Sequence, residues 1–266
     1  NRMSFWMATG SGKTLVIVKL IELLKNLISN NLIPEKNILF LTYREDLLDQ
    51  FKEHVKDFNN ANNTCSINLY DLKSYDNVKR ENKLLLSNEI DIFYYRSDLI
   101  SDEQKDKIIN FRNYDNNGNW YIILDEAHKG DREDSKRQQF YSILSRNGFI
   151  FNFSATFTNH IDFATCVYNF NLEQLIKNGY GKQIYISKSD IQNLTNKNDF
   201  DNQQKQIIIL KILLLYTYIN EQKANIGNKY YHRPLLLTLV NSVNTEDSDL
   251  LLFFSEIEKI AKGDWD

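Results

Sequence analysis

The chain has 266 residues, 42% of them hydrophobic and 25% charged, the makeup of one large α/β domain or of one domain and part of another. Its formal net charge of −3 argues against a dedicated nucleic-acid-coating protein, which would be basic overall, but is compatible with a motor that meets nucleic acid in one local groove. Two isolated cysteines, Cys65 and Cys166, make no metal or redox pattern, and the longest apolar run, 207–216, is broken by Lys211 and too short to cross a bilayer, so a cytoplasmic protein is expected.

A strand-like segment, Arg2-Met3-Ser4-Phe5-Trp6, leads into Met7-Ala8-Thr9-Gly10-Ser11-Gly12-Lys13-Thr14, and the apolar run 15–24 after it reads as a buried helix. Strand, glycine-bearing turn and helix form the context of a phosphate-binding loop. Gly10 and Gly12 let the backbone curl so that successive N–H groups face phosphate oxygens, and the helix N-terminus adds its positive end. Thr9, Gly10, Ser11, Gly12, Lys13 and Thr14 are therefore the expected residues for ATP. Lys13 is placed to reach the β- and γ-phosphates, and the Thr14 hydroxyl to ligate Mg²⁺. The leading glycine of the general pattern is absent, and Met7 stands in its place.

Further along, Ile38-Leu39-Phe40-Leu41 is apolar without alternation, as in a parallel strand buried on both faces. It ends in Thr42, Tyr43 and Arg44. Ligands of open α/β sheets bind beyond the carboxyl ends of strands, so these three are placed to meet one, with Arg44 suited to a phosphate. Leu47, Leu48, Phe51, Val55 and Phe58 then recur on one helical face, and the asparagine-rich stretch 59–63 reads as a solvated loop. A third strand is expected over 90–96, with its tyrosines in the core, and a helix over 98–111.

A turn at 116–119 precedes the apolar strand 120–124, which ends in Asp125-Glu126-Ala127-His128. A carboxylate at a strand tip beside a phosphate loop is where the partner of Mg²⁺ must stand, and its neighbour can orient or deprotonate the attacking water. Asp125 is assigned the first role and Glu126 the second. A charged helix over 131–146, with Phe140, Ile143 and Leu144 inward, is followed by the strand 149–153 and by Ser154-Ala155-Thr156.

These motifs, in this order and each at a strand end, resemble those of the superfamily 2 DEAD/DEAH-box helicases and translocases. The fold implied is a RecA-like P-loop domain, a parallel β-sheet flanked by helices. The resemblance implies that His128, Ser154 and Thr156 couple hydrolysis to nucleic-acid contact, and that Thr42, Tyr43 and Arg44 lie in a segment touching the nucleic-acid backbone. More narrowly, 5–14 and 233–244 look like the helicase part of type III restriction enzyme Res subunits. This implies an ATP-dependent motor on DNA, expected to be duplex, with a methyltransferase or specificity subunit as a possible partner.

The expected domains are 1–225, the ATP-binding lobe, and 226–266, the start of a second RecA-like lobe, with a strand at 234–240 and a helix at 248–262. The later family motifs fall outside these residues, so a larger protein, with the rest of the second lobe and a nuclease domain as a further candidate, is expected, and little hydrolysis by the 266 residues alone. An RNA helicase of the same superfamily, a P-loop ATPase with no nucleic-acid role and a non-hydrolysing nucleotide-binding module are the alternatives.

Overall fold

The computed structural model describes residues 1–80, 88–130, 136–181, 202–226, 235–237 and 249–263. The chain divides into two compact units, Asn1–Ile184 and Tyr185–Asp266.

The first unit is built on a seven-stranded sheet in the order β3-β4-β2-β7-β8-β1-β9, in which every pairing is parallel. Its strands are β1 (Arg2–Met7), β2 (Asn37–Thr42), β3 (Ser66–Asp71), β4 (Glu89–Arg96), β7 (Trp120–Asp125), β8 (Phe149–Ser154) and β9 (Cys166–Phe170). Two short strands, β5 (Ile100–Ser101) and β6 (Ile109–Asn110), pair apart from it. The helices are α1 (Lys13–Ser29), α2 (Glu45–Ala61), α3 (Tyr75–Arg80), α4 (Lys136–Leu144), α5 (His160–Ala164) and α6 (Leu172–Lys177).

Both faces of the sheet are covered, which explains the near-continuous apolar strands. Ile38 and Phe40 of β2 meet Ile17, Val18 and Ile21 of α1 and Phe51 and Val55 of α2 in one layer. Leu39 and Leu41, one residue out of phase, join Trp120, Phe140, Tyr141 and Leu144 in the layer on the other face. Since all strands run the same way, the tips of β2, β7, β8 and β1 lie side by side at one edge, and every chemical motif in the sequence falls there.

Four expectations are corrected. The span 98–111 is not a helix: β5 and β6 lie within it, flanked by 3₁₀ turns at Ser97–Leu99 and Phe111–Tyr114. Residues 101–107 are all polar, so no apolar stripe at helical spacing exists. Side chains capture the backbone instead, with Asn110 Nδ2 donating to the Asp102 carbonyl at 2.8 Å and Asn110 Oδ1 accepting from Arg112 N at 3.0 Å. The asparagine stretch is not wholly loop either. Asn59 lies in the last turn of α2, which runs to Ala61, and exchanges two hydrogen bonds with the Ile67 backbone, at 2.9 and 2.8 Å, and so pins the edge strand β3. Strands β3 and β9, at the two edges of the sheet, carry too weak an apolar signal to be read from the sequence, and three of the five residues of β9 are exposed. Of the helix expected over 131–146, Lys136–Leu144 is helical, residues 131–135 lie outside the described residues, and Tyr141 rather than Ile143 turns inward.

In the second unit the helix Asn202–Ile226 packs against the helix Asp249–Lys262, where Gln206 Nε2 donates to Glu256 Oε1 at 3.0 Å. The helix 202–226 groups with the later residues of this unit because its packing partner comes after it. Of the strand expected at 234–240, Leu235, Leu236 and Leu237 are described and join no ladder; the other positions lie outside the described residues.

Candidate nucleotide site and its surroundings

The turn between β1 and α1 holds Gly10 at φ +79° and Gly12 at φ +86°. A Cβ at either would meet nothing within 4 Å, so it is backbone conformation and not crowding that calls for glycine. Lys13 and Thr14 follow as the first two residues of α1, whose N-terminal N–H groups face this turn. Ser11 Oγ is buried without a hydrogen-bond partner.

Residues 113 positions apart converge here. Lys13 Nζ donates to Glu126 Oε1 at 2.7 Å, and Asp125 Oδ1 lies 3.3 Å from the same ammonium. Asp125, the last residue of the wholly buried β7, keeps 7% of its surface accessible, and its Oδ1 lacks a hydrogen bond of good geometry. Burial raises the Asp125 pKa above the ordinary carboxylate range, only partly offset by the charge of Lys13. Burial works against the Lys13 ammonium too, but Asp125 and Glu126 together outweigh it and raise its pKa.

Glu126 has a φ of +56°, a left-handed backbone that a non-glycine side chain takes up at a cost of about 1–3 kcal/mol. The chain turns sharply there as β7 gives way to the 3₁₀ turn Ala127–Gly130, and Glu126 lies within reach of both Lys13 and His128. His128 Nδ1 lies 3.3 Å from Glu126 Oε2 and 2.8 Å from Ser154 Oγ at the tip of β8. Ser154 Oγ in turn donates to the Thr156 carbonyl at 3.0 Å and accepts from its N–H at 3.1 Å. Glu126, His128, Ser154 and Thr156 thus form one connected path, with Thr156 taking part through its backbone.

The three residues expected at a nucleic-acid surface separate. Thr42 has no accessible surface, so it is corrected from a contact residue to a buried strand end. Tyr43 is half-buried, with the Arg137 guanidinium 5.8 Å from its ring centre. Arg44 is exposed, and its guanidinium is paired with Asp46, the Nε bond measuring 2.9 Å. This pairing, through hydrogen bonding first and charge second, raises the Arg44 pKa.

Two features of this edge escaped the sequence reading. At the tip of β4, Arg96 NH2 meets Asp98 Oδ2 at 2.7 Å and NH1 meets Glu45 Oε2 at 3.2 Å. Trp6, just before the phosphate loop, donates its indole N–H to the Ala155 carbonyl at 2.9 Å. An arginine at a strand tip was a visible signal for the first; the second depends on β1 lying beside β8.

A parallel sheet carrying a glycine-bearing loop at one strand tip and two carboxylates at a neighbouring tip defines a P-loop domain of RecA type. The family model of the type III restriction enzyme res subunit matches residues 1–159, and the chain belongs to that family, one of helicase-type motor domains. No curated protein matches the chain. Among the described residues no helix is long and apolar enough to cross a membrane.

Proposed function

We propose that the chain is part of an ATP-dependent motor that moves along or remodels duplex DNA, within a cytoplasmic restriction enzyme whose partner is a methyltransferase or specificity subunit. The observation that carries this reading is the position of Lys13, within 2.7 and 3.3 Å of the two adjacent carboxylates of Glu126 and Asp125 and at the first turn of a helix that follows a glycine loop. The loop N–H groups and the Lys13 ammonium bind the triphosphate. Thr14 and Asp125 would hold Mg²⁺: hydroxyl and carboxylate oxygens suit a hard cation, and Asp125 Oδ1 is buried with spare acceptor capacity. When bound, that ion neutralises charge developing on the transferred phosphoryl group.

Glu126 orients the attacking water and takes its proton, once Lys13 has exchanged the carboxylates for phosphate oxygens. His128, Ser154 and Thr156 connect this carboxylate to the neighbouring strand tip, so a shift of Ser154 on nucleic-acid contact alters the position of the base. Arg44 and Tyr43 are the proposed contacts to the nucleic-acid backbone, and 226–266 the proposed start of a second RecA-like lobe.

Steady-state ATP hydrolysis in the presence of duplex DNA, single-stranded DNA or RNA tests the reading. Stimulation by duplex DNA that disappears in Lys13→Ala is the expected result. Hydrolysis unaffected by Lys13→Ala would remove the site assignment, and stimulation by RNA alone would remove DNA as substrate.

A further inference from the structure

Directly beneath the Ser154-Ala155-Thr156 turn lies a buried polar cluster that the mechanism above does not use. Its centre is Asp162 of α5, which has no accessible surface and lies beyond the residues the family model matches. Asp162 Oδ1 accepts from Ser4 Oγ at 3.0 Å and from Asn152 Nδ2 at 2.7 Å, and Arg2 NH1 stands 3.7 Å away. The segment is also sewn down at its end: Ser4 N donates to the Thr165 carbonyl at 2.9 Å, and the Ser4 and Thr165 hydroxyls lie 3.0 Å apart.

Ser4 and Asn152 are registered partners on β1 and β8, and the next pair on the same face is Trp6 and Ser154. Trp6 holds the Ala155 carbonyl, and its ring packs edge-on against Phe157 and against Phe163 of α5. So one rung of the sheet is clamped by Asp162, while the adjacent rung carries the serine that contacts His128 and, through it, Glu126. A buried carboxylate is costly to keep unless its acceptor role defines a geometry that apolar packing would not, because dispersion contacts are non-directional and hydrogen bonds are not.

We infer that Asp162 is a positioning residue for hydrolysis: by tying α5 to Ser4 and Asn152 it sets where Ser154 meets His128, and thereby where Glu126 points. The inference rests on the proposed nucleotide site and adds to it a second tier of control from a helix that touches neither nucleotide nor Mg²⁺. Trp6 serves the same end by holding Ala155.

The test is a kinetic cycle on the full-length protein, with ATP as the probe. Asp162→Ala should lower kcat by roughly 10-fold to 100-fold with the KM for ATP little changed, as a slight misplacement of a catalytic group does. Asp162→Asn, which keeps an acceptor oxygen, should recover most of it. Because the effect runs through Ser154, Asp162→Ala combined with Ser154→Ala should be no slower than Ser154→Ala alone; residues acting apart would add. Trp6→Phe, which keeps the ring and removes the N–H, gives an independent arm if Asp162→Ala does not fold: kcat should fall, again without adding to Ser154→Ala. Additive losses in the available arm, or an unchanged kcat, overturn the inference. If the parent protein hydrolyses ATP and Lys13→Ala does not, such a result sinks the positioning role alone; if Lys13→Ala leaves turnover unchanged, the nucleotide site itself is wrong.

Discussion

Two groups of charges stand at the same edge of the sheet, and they are built differently. At the tips of β1 and β7, Lys13 meets Asp125 and Glu126 across more than a hundred residues of chain, all three largely buried. At the tips of β2 and β4, Arg44 meets Asp46 and Arg96 meets Asp98, each two residues away, on exposed or half-exposed side chains. In the first group the sheet brings the partners together, and low local polarity makes each contact strong. In the second the chain pairs with itself locally, and water screens the result. A pairing that the fold must create is costly to alter. One that is local and solvated can be exchanged for another anion, which is what a surface meeting a phosphate backbone needs.

The sharpest way to break this contrast is at Lys13. Lys13→Ala should reduce ATP turnover to background with the fold retained, since the side chain supplies charge to the site and little packing, although leaving Asp125 and Glu126 without their counter-ion should lower the unfolding temperature; substantial remaining turnover would show that the buried group is not the catalytic one. Glu126→Gln should come next, with turnover falling by on the order of 10² to 10⁴ while ATP binding persists, as for a lost general base. Loss of nucleotide binding in this variant would place Glu126 among the ligands instead.

The apolar layer under the site makes a prediction about pH. Tyr141 packs in the cluster that includes Ala127 and Phe157, and burial pushes its phenol up to about 12. Its pKa is thus higher in the folded chain than in the unfolded one, near 10. Its contribution to stability is complete below the unfolded value and is lost as pH rises through the folded one. Over that interval urea unfolding of the parent should lose up to roughly 1.4 kcal/mol per pH unit relative to Tyr141→Phe. Parallel curves for the two would mean that Tyr141 reaches solvent.

The smallest effects belong to the exposed group. Arg44→Ala should weaken DNA binding about equally for all sequences and lower the salt slope by roughly one. Asp46→Asn frees the Arg44 guanidinium from its local partner and should act in the opposite direction, strengthening binding at low salt. If titrations of both variants match the parent, the Arg44 pair is ordinary solvated surface and the exposed half of the comparison has no role.

Features with strong local chemistry are legible in the residues alone. Met7-Ala8-Thr9-Gly10-Ser11-Gly12-Lys13-Thr14 requires a strand before it and a helix after it, and the runs at 38–41 and 120–124 are legible because a strand covered on both faces is apolar almost throughout; 149–153 keeps that signal despite Asn152. The same reasoning failed where the signal was thin: β3 and β9 are edge strands that mix polar residues with few apolar ones, and 98–111 contains enough helix-forming residues to mislead although no stripe binds it to a core.

Tertiary structure alone decided the rest. Thr42 and Arg44 are two residues apart, yet strand pairing seals one inside while the other reaches solvent. Nothing local to Trp6, Ser154 or Asp162 indicates that they share one face of β1 and β8, since that depends on which strands become neighbours. The same holds for the helix 202–226, whose partner follows it in the chain. Helical and strand periodicity report which side of an element is apolar. The identity of the partner on that side is set by the packing of the whole sheet and its covering helices.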